Sequence, residues 1–459
     1  MFRGRVRSIH FIGIGGVGMS GIAEVLLELG FRVSGSDLKE SEVTRALEAR
    51  GAHIAFGHAA RNIKEADVVV YSSAVKQENP EIVAARAEAI PVIRRAEMLG
   101  ELMRIKSGIA IAGSHGKTTT TSLVATVLRD AGLDPTVIIG GKLNALGSNA
   151  ASGKGELLVA EADESDGSFL RLHPAISVLT NIDPEHLDHY GSLEAVKDAF
   201  VTFANQVPFY GLVVACVDHP NIQDILPRID RRVMTYGFAA HADYRARDLK
   251  AEGLSVSFEL YVQGERRGRV KVRMPGDHNV LNALAAIAVA DELGVAHEII
   301  ASSLEAFEGV QRRFTVVGEV DGVTVVDDYA HHPTEIEVTL AAAQAAFSGR
   351  IVVAFQPHRY TRTRDCFDDL IRSFNRADIV FVTDVFAAGE EPIEGFDAAR
   401  LVESIRAHGH RDVSHIPSRL ALADAIRERV EPGDLVLTLG AGDITRTGRE
   451  LLERMRGGA

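Results

Sequence analysis

The chain has 459 residues and a formal net charge of −13 at pH 7. This length exceeds what one hydrophobic core usually organises, so more than one domain is expected. The acidic balance disfavours a general nucleic-acid binder, because neutralising phosphates requires a basic face. Apolar residues make up 46% and charged residues 25% of the chain, as in ordinary globular proteins, so disorder is not expected.

The cysteines and the first residues bear on the cellular compartment. Cys216 and Cys366 lie far apart in the chain, which suits a reducing compartment and offers neither a disulfide framework nor a zinc-binding spacing. Arg3, Arg5 and Arg7 precede a short apolar stretch without a cleavage site, which we interpret as a strand. No segment approaches the roughly 20 apolar residues that cross a bilayer. We therefore expect a cytoplasmic protein without membrane insertion.

Short apolar runs alternate with stretches of helical period, which is typical of parallel sheets covered by helices and predicts the α/β class. A first series fades near Arg104, and a second continues to a long alanine-rich helix predicted at 279–293, which Gly294 ends. Between Tyr244 and Met274 the runs become shorter and alternate, which indicates an antiparallel addition. The predicted strands lie at 8–14, 32–35, 68–71, 108–112, 157–160, 176–179, 212–216, 254–258, 323–326, 351–355, 379–382 and 435–439.

We predict three domains from these series. The first domain, residues 1–106, is expected to be Rossmann-like. The central domain, residues 107–311, is expected to resemble P-loop ATPases and to carry the antiparallel addition. The last domain, residues 312–459, is expected to be a second Rossmann-like domain.

The segment from Gly113 to Thr118 contains the strongest chemical signal in the chain. Its sequence is GSHGKT, and it lies between a predicted strand and a threonine-rich helix start, where backbone N–H groups converge on an anion. Lys117 would supply charge to the β- and γ-phosphates, and the Thr118 hydroxyl could hold Mg²⁺. The loop is shorter than the common GxxxxGK[ST] form, since Ile111 stands in the place of its first glycine. A glycine turn with an exposed lysine is the alternative.

Candidate metal ligands follow the next two strands. Glu161 comes first in an acidic loop that also contains Asp163, Glu164 and Asp166, and His186 follows the strand after it. The alternative is that the acidic loop is only exposed to solvent and binds no metal. A zinc pair of His186 with His189 is also conceivable, but no third ligand lies at a telling spacing.

A second glycine turn, Gly13-x-Gly15-x-x-Gly18, follows the first strand, with Asp37 about 20 residues on. This pattern fits the dinucleotide fingerprint, and by itself it would suggest NAD. Such a turn accepts any diphosphate, and an acidic residue there accepts any ribose hydroxyl. A dehydrogenase would leave the separate phosphate loop hard to explain, so we expect a nucleotide-linked substrate here. Packing alone is the alternative role for these glycines.

Together these motifs resemble the Mur ligase family over nearly the whole chain. The segments that resemble it are 13–21, 113–118, 161–166, 278–282, 327–335 and 356–364. The resemblance implies ATP-dependent joining of L-alanine to the carboxylate of UDP-N-acetylmuramate through an acyl phosphate, with two Mg²⁺ ions. It also implies that the first domain holds UDP, the second ATP, and that the third closes over ATP and binds the amino acid.

The resemblance further implies roles for single residues. The catalytic residues would be Lys117, Glu161, His186 and His331, and the metal ligands Thr118, Glu161 and His186. The ATP site would consist of Gly113, Ser114, His115, Gly116, Lys117, Thr118, Thr119, His278, Asn282, Arg313 and Asp328. The UDP-sugar site would consist of Gly15, Gly16, Val17, Gly18, Met19, Ser20, Asp37 and Ser73. The amino-acid and product carboxylates would contact Tyr329, His331, Arg359 and Arg362.

One position departs from the related ligases that add later residues. Those ligases carry a carbamylated lysine where this chain has Phe200, so the second metal is expected on His186 without a carbamate. Three alternatives stay open: a ligase that attaches a recycled tripeptide to the same sugar nucleotide, a nucleotide-sensing binding protein, and a dehydrogenase. On composition alone, Arg359, Arg362 and Arg364 could form an exposed charged face. A monomer or weak homodimer is expected, and no nucleic acid as partner.

Overall fold

The computed structural model describes residues 6–72, 74–139, 150–151 and 153–457. Within this part of the chain the strands form three sheets, of five, ten and six strands. Most neighbouring strands in each sheet are parallel, and helices follow the strands, which confirms the α/β class.

The first sheet is entirely parallel, in the order β3-β2-β1-β4-β5. Its first strand ends at Ile12 rather than Ile14, because Gly13 has a φ of +79° and the N–H groups of Gly13 and Ile14 both donate to Ser36 O. Its strands are β1 (Ser8–Ile12), β2 (Arg32–Asp37), β3 (His53–Phe56), β4 (Val68–Tyr71) and β5 (Val92–Arg94). Its helices are α1 (Val17–Glu28), α2 (Glu42–Ala49), α3 (Pro80–Ala87) and α4 (Arg95–Ile105), with a 3₁₀ helix at Ala60–Ile63.

The second sheet has the order β15-β14-β13-β12-β11-β10-β6-β9-β7-β8. Two-residue turns at 253–254 and 263–264 join its last three strands as hairpins, which confirms the predicted antiparallel addition. Its strands are β6 (Ser107–Ala112), β7 (Thr136–Ile138), β8 (Ala150–Ala151), β9 (Leu157–Glu161), β10 (Ile176–Leu179), β11 (Leu212–Cys216), β12 (Val233–Gly237), β13 (Tyr244–Glu252), β14 (Ser255–Val262) and β15 (Glu265–Val272). Its helices are α5 (Lys117–Asp130), α6 (Leu187–Tyr190), α7 (Leu193–Asn205), α8 (Pro220–Ile225), α9 (Asp277–Glu292) and α10 (His297–Ala306), with 3₁₀ helices at Ser168–Arg171 and Leu226–Arg228.

The third sheet has the order β16-β17-β21-β18-β19-β20, and only its edge strand β16 runs antiparallel to its neighbour. Its strands are β16 (Thr315–Val320), β17 (Val323–Asp328), β18 (Ile351–Phe355), β19 (Ile379–Val382), β20 (Val413–His415) and β21 (Leu435–Leu439). Its helices are α11 (Pro333–Ala346), α12 (Tyr360–Asp365), α13 (Phe367–Arg372), α14 (Ala398–Ala407), α15 (Arg419–Arg427) and α16 (Thr445–Arg456).

The chain forms two compact units. One comprises residues 1–247, 260–268 and 281–307, and contains the first sheet with most of the second. The other comprises residues 248–259, 269–280 and 308–459, and contains the third sheet. None of the helices in the described ranges is both long and apolar enough to cross a membrane.

The order of the second sheet decides where its loops meet. Strands β10, β6 and β9 are neighbours and run parallel. Their carboxyl ends therefore lie at one edge of the sheet, and residues 113–118, 162–166 and 180–186 follow these ends directly. Ligands of open α/β sheets bind at such edges.

Candidate functional site

The loop between β6 and α5 has a backbone that glycine alone accommodates. Gly113 and Gly116 have φ values of +142° and +80°. A Cβ atom on Gly113 would lie 1.9 Å from Thr180 Oγ1, and one on Gly116 would lie 2.6 Å from Asn282 Oδ1. The loop leads directly into the amino terminus of α5, whose first N–H groups have no partner within the helix. This geometry matches the predicted phosphate-binding loop.

Residues after β10 hold this loop from the neighbouring strand. Asn181 Oδ1 accepts from the His115 backbone N–H at 2.7 Å, and Asn181 Nδ2 donates to His115 O at 3.1 Å. Thr180 Oγ1 donates to His115 O at 2.7 Å. The Ser114 hydroxyl accepts from the Asp183 backbone N–H at 2.8 Å. The sequence pattern did not identify Thr180 and Asn181 as supports of the loop, because their partner His115 lies 65 and 66 positions away along the chain.

The ammonium group of Lys117 is paired with a carboxylate. Its Nζ donates to Glu164 Oε1 at 2.8 Å, to Gly113 O at 2.5 Å and to Ser114 O at 3.2 Å. Burial raises the pKa of Glu164 to about 7, although the Lys117 cation lowers it. Burial alone would lower the pKa of Lys117, but its attraction to Glu164 outweighs this and the pKa is raised. The lysine thus stays charged at the phosphate loop.

Glu164, Glu185 and His186 form a group that could hold a cation. Their ligand atoms all lie within 4.8 Å of one another. Glu164 Oε2 is buried and has no hydrogen-bond partner among the described residues, which fits a carboxylate oxygen facing a cation. His186 has a φ of +56°, a backbone conformation that non-glycine residues rarely adopt and that occurs at functional sites. Carboxylate oxygens suit Mg²⁺.

The other predicted metal ligands lie at the same sheet edge. Glu161 is the last residue of β9, where it stands opposite Ile111 of β6. Thr118 lies in the first turn of α5 and is half-buried. The zinc pair is not supported, since neither group of metal-capable side chains in the described ranges contains His189. Phe200 is fully buried and packs against Phe169, with ring centroids 5.3 Å apart.

A charged network lies beneath the phosphate loop. Asp183 Oδ2 is 2.9 Å from His115 Nε2, and Asp183 Oδ1 is 3.2 Å from His219 Nε2. Burial raises the pKa of Asp183, but the hydrogen bonds from His115 and His219 outweigh burial and hold this pKa well below its usual value. Asp183 is therefore ionised at neutral pH and fixes the His115 side chain. The sequence analysis missed the roles of Asp183 and His219.

The glycine turn after β1 borders a separate cleft of about 730 Å³. Asp37, at the end of β2, lines this cleft, and its Oδ2 accepts from the Gly15 N–H at 2.8 Å. Gly16 also lines the cleft and is the N-cap of α1. The residues that line the cleft are Gly13, Gly15, Gly16, Asp37, Leu38, Lys39, Ser41, His58, Ser72, Ala74, Val75, Lys76, Glu78 and Asn79.

The remaining predicted residues of this site lie in α1 or near it. Val17 is the first residue of α1, and Met19 and Ser20 in its first turns are buried. A Cβ atom on Gly18 would lie 2.4 Å from Nη1 of Arg95, so the small residue makes room for this arginine. Ser73 lies outside the described residues.

In the third sheet, the carboxyl end of β17 brings several predicted residues together. Asp328 accepts from the N–H groups of Phe314 and Ala330 at 2.7 and 2.8 Å. Burial raises the pKa of Asp328 to about 6, against the lowering effect of the Arg313 cation. The Arg313 guanidinium lies 5.3 Å from the centre of the Tyr329 ring. Asp328, Arg313 and Tyr329 therefore lie close together at this end of the sheet.

Four aromatic rings form a row beside this cluster: Tyr329, His331, His358 and Phe386. Successive ring centroids are 5.2, 5.9 and 5.6 Å apart. Burial, followed by the charges of His331 and nearby arginines, lowers the pKa of His358 to about 4, so this ring is neutral at pH 7. His331 Nδ1 lies 3.1 Å from Glu335 Oε2. The sequence analysis assigned no role to His358 or Phe386.

The two predicted carboxylate-binding arginines flank the start of α12. Arg362 Nη1 lies 3.3 Å from His358 Nδ1, so Arg362 adjoins the aromatic row. Arg359 is exposed and has φ +68° and ψ 139°, a sparsely populated conformation. Its backbone N–H donates to Phe386 O at 2.9 Å, which holds this strained residue in place.

The two predicted adenine contacts lie on α9. Asn282 Oδ1 accepts from Thr120 Oγ1 at 3.1 Å and lies against Gly116, so it adjoins the phosphate loop. Burial, then the charge of Arg313, lowers the pKa of His278 to about 4. His278 Nδ1 is buried and has no hydrogen-bond partner among the described residues. Thr119, one turn into α5, is buried.

The fold and these sites define an α/β protein of the nucleotide-binding type, with a glycine loop at the start of α5 and a separate cleft beside a second glycine turn. Family models match three consecutive stretches: "Mur ligase family, catalytic domain" at 8–107, "Mur ligase middle domain" at 111–290 and "Mur ligase, glutamate ligase domain" at 312–442. The chain belongs to the Mur ligase family, and its fold is that of a three-domain α/β protein.

Individual relatives are similar over nearly their whole length. UDP-N-acetylmuramate–L-alanine ligase of Sorangium cellulosum is 62% identical, covering 99% of this chain and 98% of that protein. The enzyme of the same name from Myxococcus xanthus is 60% identical, covering 98% and 95%. The crystal structure of UDP-N-acetylmuramate-alanine ligase from Thermotoga maritima has a TM-score of 0.81 and 33% identity, covering 98% of this chain and 100% of that one. A murein peptide ligase from Psychrobacter arcticus has a TM-score of 0.68 and 25% identity, covering 98% of both.

Proposed function

We propose that this protein is an ATP-dependent ligase that joins L-alanine to the carboxylate of UDP-N-acetylmuramate, the first step in assembling the peptidoglycan stem peptide. The observation that carries this proposal is the Lys117 ammonium at the glycine loop, 2.8 Å from Glu164, in a domain whose phosphate site is separate from the first-domain cleft. Two such sites suit one enzyme that binds ATP and a second nucleotide. The similarity to L-alanine ligases over 98% or more of the chain supports the same conclusion.

The reaction we propose has two steps. The substrate carboxylate attacks the γ-phosphorus of ATP, the bond to the β–γ bridging oxygen breaks, and an acyl phosphate and ADP form. The neutral amine of L-alanine then attacks the acyl carbon, phosphate leaves, and the amine loses a proton as the amide forms. Activation is needed because a carboxylate and an ammonium ion hardly condense in water.

The chain's own contribution to the first step is alignment and charge. The N–H groups of residues 116–119 and the Lys117 ammonium would hold the β- and γ-phosphates, and phosphate would compete with Glu164 for this ammonium. Two Mg²⁺ ions, when bound, would neutralise phosphate charge. We propose Thr118, Glu161 and His186 as their ligands, and we add Glu164 and Glu185 because both lie with His186 in the cation-capable group.

The remaining contacts would come from the third domain and from α9 of the central domain. We propose that Arg313 and Asp328 contact ATP, with His278 and Asn282 against the adenine. His331, Tyr329, Arg359 and Arg362 would bind the amino acid or the product carboxylate, for which the two N–H donors of a guanidinium match two oxygens. We also keep the domain limits 1–106, 107–311 and 312–459 as a proposal, which the separate sheets support.

The alternative functions are less well supported. Two murein peptide ligase structures are 25% identical over 98% of this chain and 33% identical over 67% of it, whereas an L-alanine ligase is 62% identical over 99%. A dehydrogenase or a sensor without chemistry would not require the paired Lys117 and the cation-capable group beside it.

Compartment and assembly stay predictions. ATP and a UDP-sugar are cytoplasmic metabolites, and the two cysteines, Cys216 and Cys366, lie far apart in the chain, which suits that reducing compartment. We propose a cytoplasmic monomer or weak homodimer. Sedimentation at several protein concentrations distinguishes the two.

A product assay tests the proposed function directly. The protein is supplied with ATP, Mg²⁺ and UDP-N-acetylmuramate, together with L-alanine, glycine, L-serine or the tripeptide, and the products are weighed by mass spectrometry. We expect an adduct with L-alanine and one ADP per amide formed. A mass increase with the tripeptide alone, or none with any amine, would contradict the proposal.

A further inference from the structure

The first domain contains a fully buried carboxylate that the proposed mechanism does not use. Glu81 lies in the first turn of α3 with 0% of its surface exposed. Its Oε2 accepts from the Ser36 hydroxyl at 2.6 Å and lies 3.4 Å from His10 Nε2. Its Oε1 accepts from Asn62 Nδ2 at 2.6 Å and from the Ala59 N–H at 3.2 Å. A buried carboxylate is costly unless it is well hydrogen-bonded, and Glu81 meets this condition.

The partners of Glu81 belong to different walls of the first-domain cleft. Ser36 immediately precedes Asp37, and Ala59 immediately follows His58. Glu81 itself is the second residue of α3, and Oδ1 of the N-cap residue Asn79 accepts from the Glu81 N–H at 2.9 Å. Asp37, His58 and Asn79 all line the cleft. One carboxylate therefore connects the end of β2, the loop after β3 and the start of α3.

The hydrogen bonds also define the orientation of the His58 ring. The Ser36 hydroxyl has one proton, which it donates to Glu81, so its oxygen accepts from His58 Nδ1 at 2.9 Å. The hydrogen bond from Nδ1 fixes the orientation of the His58 ring. Ser36 does not bond to the other ring nitrogen, Nε2. Burial raises the pKa of Glu81, but hydrogen bonds from His10, Ser36 and Asn62 outweigh burial and lower it, so the carboxylate is ionised at neutral pH.

We propose that Glu81 is a positioning residue for the sugar nucleotide, acting through Ser36, Ala59 and Asn62 to hold the three cleft walls in their binding geometry. This inference rests on the proposed function, in which that cleft binds UDP-N-acetylmuramate. Glu81 does not touch the substrate. It preorganises groups that do, and such preorganisation reduces the ordering that binding would otherwise require.

The test compares Glu81→Gln and Ser36→Ala with the wild-type enzyme. Glu81→Gln places an amide N–H₂ against one of the donors of the network. Ser36→Ala removes the hydrogen bonds from Ser36 to Glu81 and His58, and leaves those that Asn62 and the Ala59 N–H donate to Glu81. We expect the dissociation constant and KM for UDP-N-acetylmuramate to rise about tenfold in each variant, as the loss of one buried hydrogen bond predicts. KM for ATP and kcat should stay unchanged. Glu88→Gln, an exposed carboxylate at the end of the same helix, is the matched control.

The outcomes separate this inference from the proposed function. If the wild-type protein binds no UDP-N-acetylmuramate in titration calorimetry, the proposed function fails. If it binds and both variants bind equally well, Glu81 is not a positioning residue. A purely structural role would lower the active fraction, and hence kcat, without changing KM, and that result would also overturn the inference. If Glu81→Gln fails to fold, the binding measurement on Ser36→Ala alone tests the inference. In the double variant, the loss of binding free energy for UDP-N-acetylmuramate should be smaller than the sum of the losses in the two single variants, because both changes act on one network.

Discussion

Replacing Lys117 by methionine tests the phosphate loop most directly. The change keeps the aliphatic stem and removes an ammonium that makes three hydrogen bonds, to Glu164 Oε1, Gly113 O and Ser114 O. The side chains of Lys117 and Glu164 are only 18% and 4% exposed, so solvent replaces these bonds poorly.

The expected loss of stability follows from the state of Glu164. Leaving a buried charge without its partner costs about 3–5 kcal/mol when that charge must persist. The pKa of Glu164 is already about 7, so at pH 7 this carboxylate can take up a proton instead. The lost hydrogen bonds to a charged group then dominate, and the free energy of unfolding should fall by about 2 kcal/mol. Adding Glu164→Gln should recover part of this loss.

Activity should respond differently from stability. We expect kcat to fall by about 10²- to 10³-fold in Lys117→Met, as for the removal of one preorganised electrostatic contact. Recovery of stability in the double variant should not recover kcat. The affinity for UDP-N-acetylmuramate, measured by calorimetry, should change less than about twofold, because its proposed cleft lies in another sheet.

Lys154→Met, at an exposed lysine in the same domain, is the control and should behave as wild type. ATP-dependent coupling at the wild-type rate in Lys117→Met would refute the assignment of the phosphate loop. An equal loss of affinity for ATP and for the sugar nucleotide would refute the separation of the two sites.

Three further predictions concern the loop and the third domain. Gly116→Ala should raise KM for ATP, because the residue has φ +80° and its Cβ would lie 2.6 Å from Asn282 Oδ1; an unchanged KM would contradict this. Asn181→Ala should lower the free energy of unfolding by about 1–3 kcal/mol, measured in urea, because it removes the acceptor of the His115 backbone N–H, while His115 O keeps its hydrogen bond from Thr180 Oγ1. Burial raises the pKa of Asp328 from 3.8 to about 6, so the native protein keeps a proton that the unfolded chain releases, and this residue's contribution to stability falls as pH rises from about 4 to 6. Relative to wild type, Asp328→Asn should therefore gain about 3 kcal/mol in unfolding free energy between pH 4 and 7, and a pH-independent difference would count against the buried carboxyl.

Much of the fold was predictable because its strands are short, continuous apolar runs. The strands Val68–Tyr71, Ile176–Leu179 and Leu435–Leu439 have the bounds that their apolar runs predicted. Strands with half-exposed side chains, such as His53–Phe56 and the edge strand Thr315–Val320, were missed. Their burial is incomplete, so their residues carry little of the periodicity from which strands are recognised.

The sequence by itself predicted the phosphate loop, because its glycines, lysine and threonine lie close together in the chain and their spacing is typical of phosphate-binding loops. Only the tertiary structure decided which partners these residues have. Lys117 pairs with Glu164, 47 positions away, and His115 with Asp183, 68 positions away, since β6 lies between β9 and β10. The buried network around Glu81 likewise joins His10, Ser36 and Asn62. Local periodicity reports how a segment folds, whereas strand order decides which distant side chains meet.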